Sequence, residues 1–501
     1  MSGAPGLGEG ASAIAPNIVM IVSDQHRADW LGCAGNRAVR TPHLDGLARD
    51  GVRFTAAYCT APLCTPSRMS LLTGRQPHHT GVFSNAASLS SDLPTCAHAL
   101  GLAGYETVLC GRMHFVGADQ RHGFERRLVG DLTPCYPGGP RADYARWEGG
   151  QRQGLQGLAL LGPGDSLVQR YDEAVVDACE EYVADRVGDG PDRPLFLTVG
   201  LFGPHSPFVC PPDLYARAER ALDAGDPPLP PDREPRHPWV ADWFRRLGAD
   251  RATPEQIRRA RANYVGLIDR LDLLVGRVVA AARSLPGPTI VVYLSDHGEM
   301  AGDRGMFWKQ SFFEGAVKVP LIWCALGPDT PAPAIARGHE VDLPVSLADL
   351  APTLAALGGA PPLPNTDGLA LSPLLKEAMP EERVDWRDRA VFSETVIAGA
   401  PLRMVRRDRH KLIYYHGYQD VQLFDLEADP GEQHDLGRDP ATLALREELL
   451  ACLLEGWNPE AIARKVRLRS ADERYLARWG HEVGLGPLDI WSGGAIYQAG
   501  E

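Results

Sequence analysis

The chain has 501 residues, of which 44% are hydrophobic, and its 51 Lys and Arg are outnumbered by 64 Asp and Glu, which gives a net charge of −13. This acidic balance, without any block of basic residues, argues against nucleic acid or an anionic membrane as a partner. The length predicts one large α/β domain followed by a smaller one.

The start of the chain carries no basic segment, and its first apolar run, residues 18–22, is too short for a signal core or a membrane span. The ten cysteines are scattered without any Cys-x-x-Cys spacing, which is typical of reduced thiols. We therefore expect a cytoplasmic protein.

Apolar runs predict four strands that are buried in a parallel sheet, at residues 17–23, 105–110, 195–201 and 289–295. Helical patterns lie between and after these runs, at residues 166–186, 254–285 and 346–357. The alternation predicts a mainly parallel, doubly wound α/β domain. Polar motifs follow the strands, namely Asp24-Gln25, Arg112-Met113-His114, His205 and Asp296-His297. We expect these motifs to meet at the carboxyl edge of the sheet, where such sheets bind ligands.

Two segments, 130–164 and 204–254, are rich in Gly or Pro and are predicted to be long loops, either walls of the site or plain surface. Beyond residue 384 the pattern changes to short strands and one helix, at 403–406, 411–415, 422–426 and 441–457. The interpretation is a catalytic domain over residues 1–384 and a small antiparallel subdomain over residues 385–471.

The remaining tail, residues 472–501, carries four large aromatic side chains but too few apolar neighbours to form a core of its own. They are Tyr475, Trp479, Trp491 and Tyr497. Apolar surface of that size is usually covered, so we expect the tail to pack on a partner subunit in a homodimer or homotetramer.

Cys64 begins a predicted short helix, in which Pro66 suits the first turn and Gly74 suits the position just past the end. A helix N-terminus favours negative charge, although a lone cysteine there is most often a buried, inert thiol. The string Cys64-Thr65-Pro66-Ser67-Arg68, followed by Leu71-Leu72-Thr73-Gly74-Arg75, closely resembles the signature of the formylglycine-dependent (type I) sulfatases.

This resemblance extends from Asn17 to about Leu436 and implies the alkaline-phosphatase-like fold of that superfamily. Within the family, residues 84–87 and 111–125 are most similar to the choline sulfatase branch. Most members carry Asp-Asp and Asp-Asn where this chain has Asp24-Gln25 and Asp296-His297, and here it resembles choline sulfatases and phosphonate monoester hydrolases. The resemblance also implies that a formylglycine-generating enzyme oxidises Cys64 to the aldehyde formylglycine.

Carboxylate, amide and imidazole side chains at two strand ends suit a divalent metal ion, Ca²⁺ or Mn²⁺, with Mg²⁺ less favoured because of the histidine. The resemblance implies that the metal ligands are Asp24, Gln25, the modified Cys64, Asp296 and His297. It implies that the hydrated aldehyde at residue 64 is the nucleophile and Asp296 its base. His205 and Lys309 would protonate the leaving oxygen and bind the sulfonyl group. His114 would be the base of the second step, while Arg68 and Arg112 balance charge and Asn85 donates a hydrogen bond.

We therefore predict a hydrolase of small sulfate esters, with arylsulfatase or choline-sulfatase-like activity. One alternative is a phosphonate monoester or phosphodiester hydrolase that uses the same site, and promiscuity between the two reactions is expected. A phosphatase or phosphomutase is disfavoured because it needs a Ser or Thr nucleophile and usually a second metal. The remaining alternative is a non-catalytic binding protein with an unmodified Cys64.

Overall fold

The structure, a computed structural model, describes residues 15–132, 155–158, 161–190, 192–225, 237–248, 251–327, 335–376 and 383–483. The helices of this part of the chain are α1 (Pro42–Arg49), α2 (Cys64–Thr73), α3 (Pro77–Thr80), α4 (Cys96–Leu102), α5 (Leu155–Leu158), α6 (Leu167–Asp189), α7 (Pro212–Gly225), α8 (Pro238–Leu247), α9 (Pro254–Ser284), α10 (Glu314–Val317), α11 (Leu350–Leu357), α12 (Arg383–Asp388), α13 (Leu443–Leu454) and α14 (Pro459–Val483).

The strands are β1 (Asn17–Asp24), β2 (Val52–Phe54), β3 (Ala57–Tyr58), β4 (Glu106–Gly111), β5 (Arg126–Arg127), β6 (Gly162–Pro163), β7 (Leu195–Pro204), β8 (Val209–Cys210), β9 (Thr289–Ser295), β10 (Leu321–Leu326), β11 (His339–Val341), β12 (Val345–Ser346), β13 (Ala390–Ile397), β14 (Ala400–Arg407), β15 (His410–Tyr415) and β16 (Gln422–Asp425). The four strands predicted for the parallel sheet are β1, β4, β7 and β9.

The central sheet has eight strands in the order β11-β2-β10-β9-β1-β7-β4-β5. The strands from β9 to β5 are parallel, and β10 is antiparallel to both of its neighbours. Two short parallel pairs, β3 with β12 and β6 with β8, lie outside it. The prediction of a mainly parallel sheet is confirmed.

Alternate residues of β1 pack into two different hydrophobic clusters, one on each face of the sheet. Ile18 and Met20 lie in the cluster that includes side chains of α2, α4 and α11, whereas Val19 and Ile21 lie with side chains of α6 and α9. Helices thus cover both faces, which explains why the strands are continuously apolar in sequence. The doubly wound architecture follows from this arrangement.

The helix α9 shows how local sequence sets an element boundary. The Thr253 hydroxyl accepts a hydrogen bond from Gln256 N (3.2 Å), and the Gln256 side chain accepts one from Thr253 N (2.9 Å), while Pro254 occupies the first helical position. This capping box satisfies two donors at the helix start. The helix spans 31 residues and ends within one residue of the predicted position.

A four-stranded antiparallel sheet, β13-β14-β15-β16, forms the small subdomain, and α13 and α14 follow it in the chain. The predicted strands correspond to β14, β15 and β16, whereas β13 was not predicted. Its apolar pattern is interrupted by Ser393 and Glu394, although both side chains are fully buried. Polar burial of this kind needs tertiary partners, which periodicity cannot reveal.

The prediction of an irregular loop over residues 204–254 is wrong, because this segment contains α7 and α8. Trp239 of α8 packs on Tyr415 of the antiparallel sheet, with ring centroids 5.4 Å apart. Most of the other predicted loop, including residues 133–154, lies outside the described residues.

The proposed boundary between residues 471 and 472 falls inside α14, which continues to Val483. Trp491 and Tyr497 lie outside the described residues.

The nine cysteines of the described part are free thiols. No described helix is long and apolar enough to cross a membrane.

Candidate active site

The predicted site residues meet at the carboxyl edge of the parallel strands. β1 and β9 pair with Ser23 opposite Ser295, so that Asp24 and Asp296 leave neighbouring strands side by side. β7 and β4 are the next strands in the sheet, and His205 and Arg112 directly follow their ends. The parallel register therefore brings together motifs that lie far apart in the sequence, as the strand-end pattern predicted.

Cys64 is the first residue of α2, and all ten residues of this helix are buried. Gly74 ends the helix in the left-handed region with φ 71°, as predicted. Asn85 Oδ1 accepts a hydrogen bond from Thr65 N (3.0 Å), which satisfies one of the free donors of the helix start. Asn85 thus caps the helix that carries Cys64.

The sulfur of Cys64 is surrounded by charged and polar side chains. Cys64 Sγ lies 3.2 Å from His297 Nε2, 3.4 Å from Lys309 Nζ and 3.7 Å from Asp24 Oδ1. Burial alone would raise the pKa of this thiol, but Lys309 and His297 hold the pKa well below its usual value. At Cys59, five residues earlier, burial instead raises the pKa of the thiol. The site therefore stabilises negative charge at residue 64 specifically.

Arg68 joins the two carboxylates at the ends of β1 and β9. Its Nε donates to Asp296 Oδ2 (2.7 Å) and its Nη2 lies 3.4 Å from Asp24 Oδ2, with all three side chains fully buried. Arg68 Nη1 also donates to the carbonyl oxygen of Arg112 (2.9 Å). A planar guanidinium with several fixed donors suits this bridging position, because it offsets the repulsion between two buried carboxylates.

Arg112 and His114 share the buried carboxylate of Asp131, to which the sequence pattern assigns no role. Asp131 accepts hydrogen bonds from Arg112 Nη1 (3.2 Å) and His114 N (2.7 Å). Arg112 Nε donates to Asp24 Oδ2 (2.7 Å), and its Nη2 donates to His114 Nδ1 (2.9 Å). Because Arg112 can only donate, a neutral His114 carries its proton on Nε2. No motif in the sequence marks Asp131, which lies beyond the predicted strand-end segment.

His205 is buried beside Lys309 and Cys64. Burial and the positive charge of Lys309 lower the pKa of its imidazole, so it is neutral at pH 7. His205 Nδ1 lies 2.6 Å from the carbonyl oxygen of Ser206, and this carbonyl can only accept. The Nδ1–H therefore donates to Ser206 and leaves Nε2 unprotonated.

Glu299 is a second buried carboxylate that received no role from the sequence. It is fully buried and accepts a hydrogen bond from Gln25 Nε2, while Gln25 Oε1 accepts one from Lys309 Nζ. Burial raises the pKa of Glu299. The sequence feature that could have pointed to Glu299 is its position directly after Asp296-His297-Gly298. Glu299 therefore adds a third buried carboxylate to this part of the structure, beside Asp24 and Asp296.

Several non-glycine residues of the site have a left-handed backbone. The φ angles are 72° at Gln25, 60° at His114, 66° at Trp308 and 67° at Gln310. Lys309 therefore lies between two such residues. Conformations of this kind are costly and cluster at functional sites, where the surrounding structure holds them.

Asp24, Cys64, Asp296 and His297 each offer one ligand atom, and these atoms all lie within 4.8 Å of one another in a buried position. His297 Nδ1 lies 3.0 Å from the carbonyl oxygen of Gly298, so its Nδ1–H donates there and Nε2 faces the group, where it can offer a lone pair once its proton is lost. Burial alone would lower the pKa of this imidazole, but Asp296 and Cys64 raise the pKa above its usual value. Two carboxylates and one correctly oriented imidazole fit a divalent metal ion. This group could hold one, in agreement with four of the five predicted ligands.

Comparison with known proteins gives one family for most of the chain. The family model described as Sulfatase matches residues 16–360, and the model described as N-sulphoglucosamine sulphohydrolase, C-terminal, matches residues 302–457. The chain is 34% identical over 490 residues to a choline-sulfatase of Rhizobium meliloti (strain 1021), covering 93% of this chain and 90% of that protein. It is 28% identical over 455 residues to an arylsulfatase of Clostridium perfringens, covering 84% and 90% of the two chains.

Among solved structures, a phosphonate monoester hydrolase of Agrobacterium radiobacter matches with a TM-score of 0.67 and 26% identity, covering 87% of this chain and 95% of that chain. A phosphonate monoester hydrolase of Silicibacter pomeroyi matches with a TM-score of 0.67 and 25% identity, over 88% and 95% of the two chains. The alkaline-phosphatase-like fold is thus confirmed.

Proposed function

Because the chain belongs to the sulfatase family, we propose that it hydrolyses a small sulfate ester at the S–O bond, with the hydrated aldehyde made from Cys64 as the nucleophile. The observation that carries this proposal is the position of Cys64. It begins a buried helix, and its sulfur contacts His297, Lys309 and Asp24. Family membership makes the chain an enzyme, so the alternative of a non-catalytic binding protein is set aside.

The sulfur of Cys64 occupies the place from which the aldehyde hydrate would act. A formylglycine-generating enzyme would have to convert the thiol before the protein becomes active. A divalent metal ion held by Asp24, Asp296, His297 and residue 64 would supply positive charge that favours the deprotonated nucleophile. Gln25 Oε1 would be a further, neutral ligand. Ca²⁺ and Mn²⁺ remain the expected ions.

The first step transfers the sulfuryl group to one hydrate oxygen. The resemblance assigns the proton of that oxygen to Asp296, one of whose oxygens lies within 4.8 Å of Cys64 Sγ. The hydrate oxygen bonds to sulfur as the bond from sulfur to the alcohol oxygen breaks. The leaving oxygen needs a proton, and Lys309 carries one, whereas His205 is neutral. We assign binding of the sulfonyl group to Lys309, because neutral His205 donates its only N–H to Ser206 and its unprotonated Nε2 cannot donate to a sulfonyl oxygen.

The second step expels sulfate. The remaining hydroxyl of the hydrate loses its proton, its oxygen forms the aldehyde C=O bond, and the bond from carbon to the sulfated oxygen breaks. Addition of water to the aldehyde then restores the hydrate. The resemblance assigns the base of this step to His114, whose Nδ1 accepts from Arg112. His114 therefore donates from Nε2 in the resting site and can take the proton only after the bond to Arg112 is released.

The proposed activity is tested with a panel of aryl sulfate, alkyl sulfate and choline-O-sulfate, the last because of the name of one relative. The panel also includes an aryl phosphate and an aryl phosphonate. We expect sulfate ester hydrolysis to be the main reaction of the aldehyde-containing enzyme. A protein with full aldehyde content that hydrolyses none of the sulfate esters would contradict the proposal.

A phosphonate monoester hydrolase activity is the second candidate function. It is favoured by Gln25 and His297, which stand where most sulfatases have an aspartate and an asparagine. The two solved phosphonate monoester hydrolases that match this chain favour it as well. A neutral amide beside the metal leaves the centre more positive than a carboxylate would. Glu299 accepts a hydrogen bond from Gln25 Nε2, on the side of the amide away from Lys309, and its negative charge reduces this difference without removing it.

Replacing Gln25 by Asp should therefore lower hydrolysis of the aryl phosphate dianion by at least about tenfold more than that of the aryl sulfate, because unit charges a few Å apart interact by more than about 1.4 kcal/mol. The phosphonate should lose more than the sulfate as well. Steady-state kcat/KM on the three substrates measures this. The matched control is Gln25→Asn, which shortens the side chain equally without adding charge. If both variants changed the ratio of phosphate to sulfate kcat/KM by the same factor, side-chain length rather than charge would determine the substrate preference.

We also propose that the protein is a homo-oligomer in which α14 contacts a second copy. Leu468, Tyr475, Leu476, Trp479 and Val483 are all exposed, by 43 to 75%. Their spacing places them on one face of the helix. An exposed apolar face of this size is typical of an interaction surface. It supports the prediction that the C-terminal segment packs on a partner subunit.

The double variant Tyr475→Glu/Trp479→Glu should therefore lower the molecular mass measured by multi-angle light scattering. The control is Leu102→Glu on α4, where an isolated leucine is 79% exposed, and this variant should keep the wild-type mass. A wild-type protein that is already monomeric, or a double variant of unchanged mass, would contradict the proposed interface.

A further inference from the structure

The carboxamide of Gln25 lies between two charged side chains that are themselves almost inaccessible to solvent. Lys309 Nζ donates to Gln25 Oε1, and Gln25 Nε2 donates to Glu299 Oε2. Gln25 and Glu299 are fully buried and Lys309 is 1% exposed. The amide therefore has no access to water that could replace either partner.

These partners allow only one orientation of the amide. An ammonium group can only donate, so the oxygen of Gln25 must face Lys309. The nitrogen of Gln25 then faces Glu299, whose carboxylate accepts. In the flipped orientation two donors would meet at Lys309, at the cost of a buried unpaired group. The donor at Lys309 and the acceptor at Glu299 together fix the position of Gln25 Oε1.

Glu299 is itself fixed by the backbone of the segment that leads to Lys309. Its Oε1 accepts hydrogen bonds from Ala301 N (2.8 Å) and Trp308 N (2.6 Å). Trp308 has a left-handed backbone and directly precedes Lys309. One carboxylate thus connects the carboxamide of Gln25 with the strained turn that presents Lys309 to Cys64 Sγ.

We propose that Glu299 is a positioning residue that holds the carbonyl oxygen of Gln25 on the side of Lys309 and residue 64, and so makes Gln25 a neutral oxygen ligand. The ligand role of Gln25 rests on the proposed function, whereas the coupling between residues 25 and 299 does not. Without Glu299 the amide nitrogen would lose its acceptor, and the oxygen would no longer be held in one place.

The test is a four-protein exchange cycle. In Glu299→Gln, the introduced amide needs its own oxygen for the N–H groups of Ala301 and Trp308, so its nitrogen meets the nitrogen of Gln25. In Gln25→Glu, two carboxylates meet. In the double variant Gln25→Glu/Glu299→Gln, the amide now at position 299 donates to the carboxylate now at position 25, which also accepts from Lys309. Every hydrogen bond is then restored, and only the one between residues 25 and 299 has its donor and acceptor exchanged.

Glu299→Gln should bind Mn²⁺ at least about tenfold more weakly than the wild type in calorimetric titration, as is usual when the partner of a ligand is lost. Gln25→Glu adds a negative charge that itself attracts Mn²⁺, so this variant is judged by its unfolding temperature. The double variant should recover to within about threefold of the wild type. Thermal unfolding of the same proteins without metal should show the same order, with both single variants below the double variant.

Wild-type Mn²⁺ affinity and stability in Glu299→Gln would overturn the proposal. A double variant as impaired as the worse single variant, in folding or in Mn²⁺ binding, would show that Glu299 has only a structural role. If the wild type itself binds no Mn²⁺, the metal assignment in the proposed function fails, and the unfolding temperatures of the four proteins alone decide the coupling.

Discussion

The variant Cys64→Ala is expected to lose turnover of sulfate esters by at least about 10⁴-fold, as is typical when a covalent nucleophile is removed. Its fold should remain, because the change removes a single sulfur atom and leaves only a small cavity, at a cost of about 1 kcal/mol. Cys64→Ser should be almost as inactive if maturation acts only on cysteine. Steady-state kinetics and thermal unfolding measure both effects.

Cys59→Ala is the matched control for this experiment. Cys59 is also fully buried, but it lies outside the group of cationic side chains and its thiol pKa is raised rather than lowered. This variant should keep kcat/KM within a few fold. Peptide mass spectrometry of the wild type should detect the aldehyde at residue 64, and activity should rise with aldehyde content. A rate of sulfate ester hydrolysis by Cys64→Ala close to that of the wild type would contradict the proposed mechanism.

The variant Arg68→Met should lower the free energy of unfolding by about 3–5 kcal/mol, the usual cost of removing one partner from a buried ion pair. Arg68 touches both Asp24 and Asp296, and all three side chains are fully buried. Methionine has a similar length but leaves the two carboxylates without this bridging charge. Urea unfolding followed by tryptophan fluorescence measures the loss, and the sulfate ester assay should show loss of activity as well.

The ion pair between half-buried Arg389 and fully buried Asp349 provides a control that separates the effect on stability from the effect on catalysis. Arg389 donates to Asp349 Oδ2 (2.7 Å) in a position far along the chain from the site motifs, and Asp349 is fully buried. Arg389→Met should therefore also destabilise the protein while leaving kcat of the folded enzyme close to the wild-type value. If Arg68→Met unfolds at wild-type urea concentrations, or keeps wild-type kcat, the bridging role of Arg68 is incorrect.

Much of the site could be predicted because it lies in short local patterns at strand ends. Asp24, His205 and Asp296 directly follow apolar runs whose length and composition predict buried strands. In a parallel sheet all such ends lie at one edge, so residues that directly follow these strands lie close together in space. The signature around Cys64 then indicated the sulfatase family, which the family comparison confirmed.

Asp131 and Glu299 were not assigned roles for a different reason. Each acts through groups distant in sequence, Asp131 on Arg112 and His114, and Glu299 on Gln25. A single carboxylate in a sequence is more often a solvated surface group than a buried partner. The sequence therefore did not indicate either of these two buried carboxylates.

By itself the sequence determined the class of fold, the order of the parallel strands along the chain, the helix that begins at Cys64, and the family. These features depend on periodicity, capping residues and a contiguous motif, which are local properties of the chain. The tertiary structure decided which donor faces which acceptor. Helices α7 and α8 in the Pro-rich segment, strand β13 with its buried Glu394, and the single orientation of the Gln25 amide all depend on partners from other parts of the chain. Burial makes such polar pairings obligatory, and only the folded structure specifies the partners.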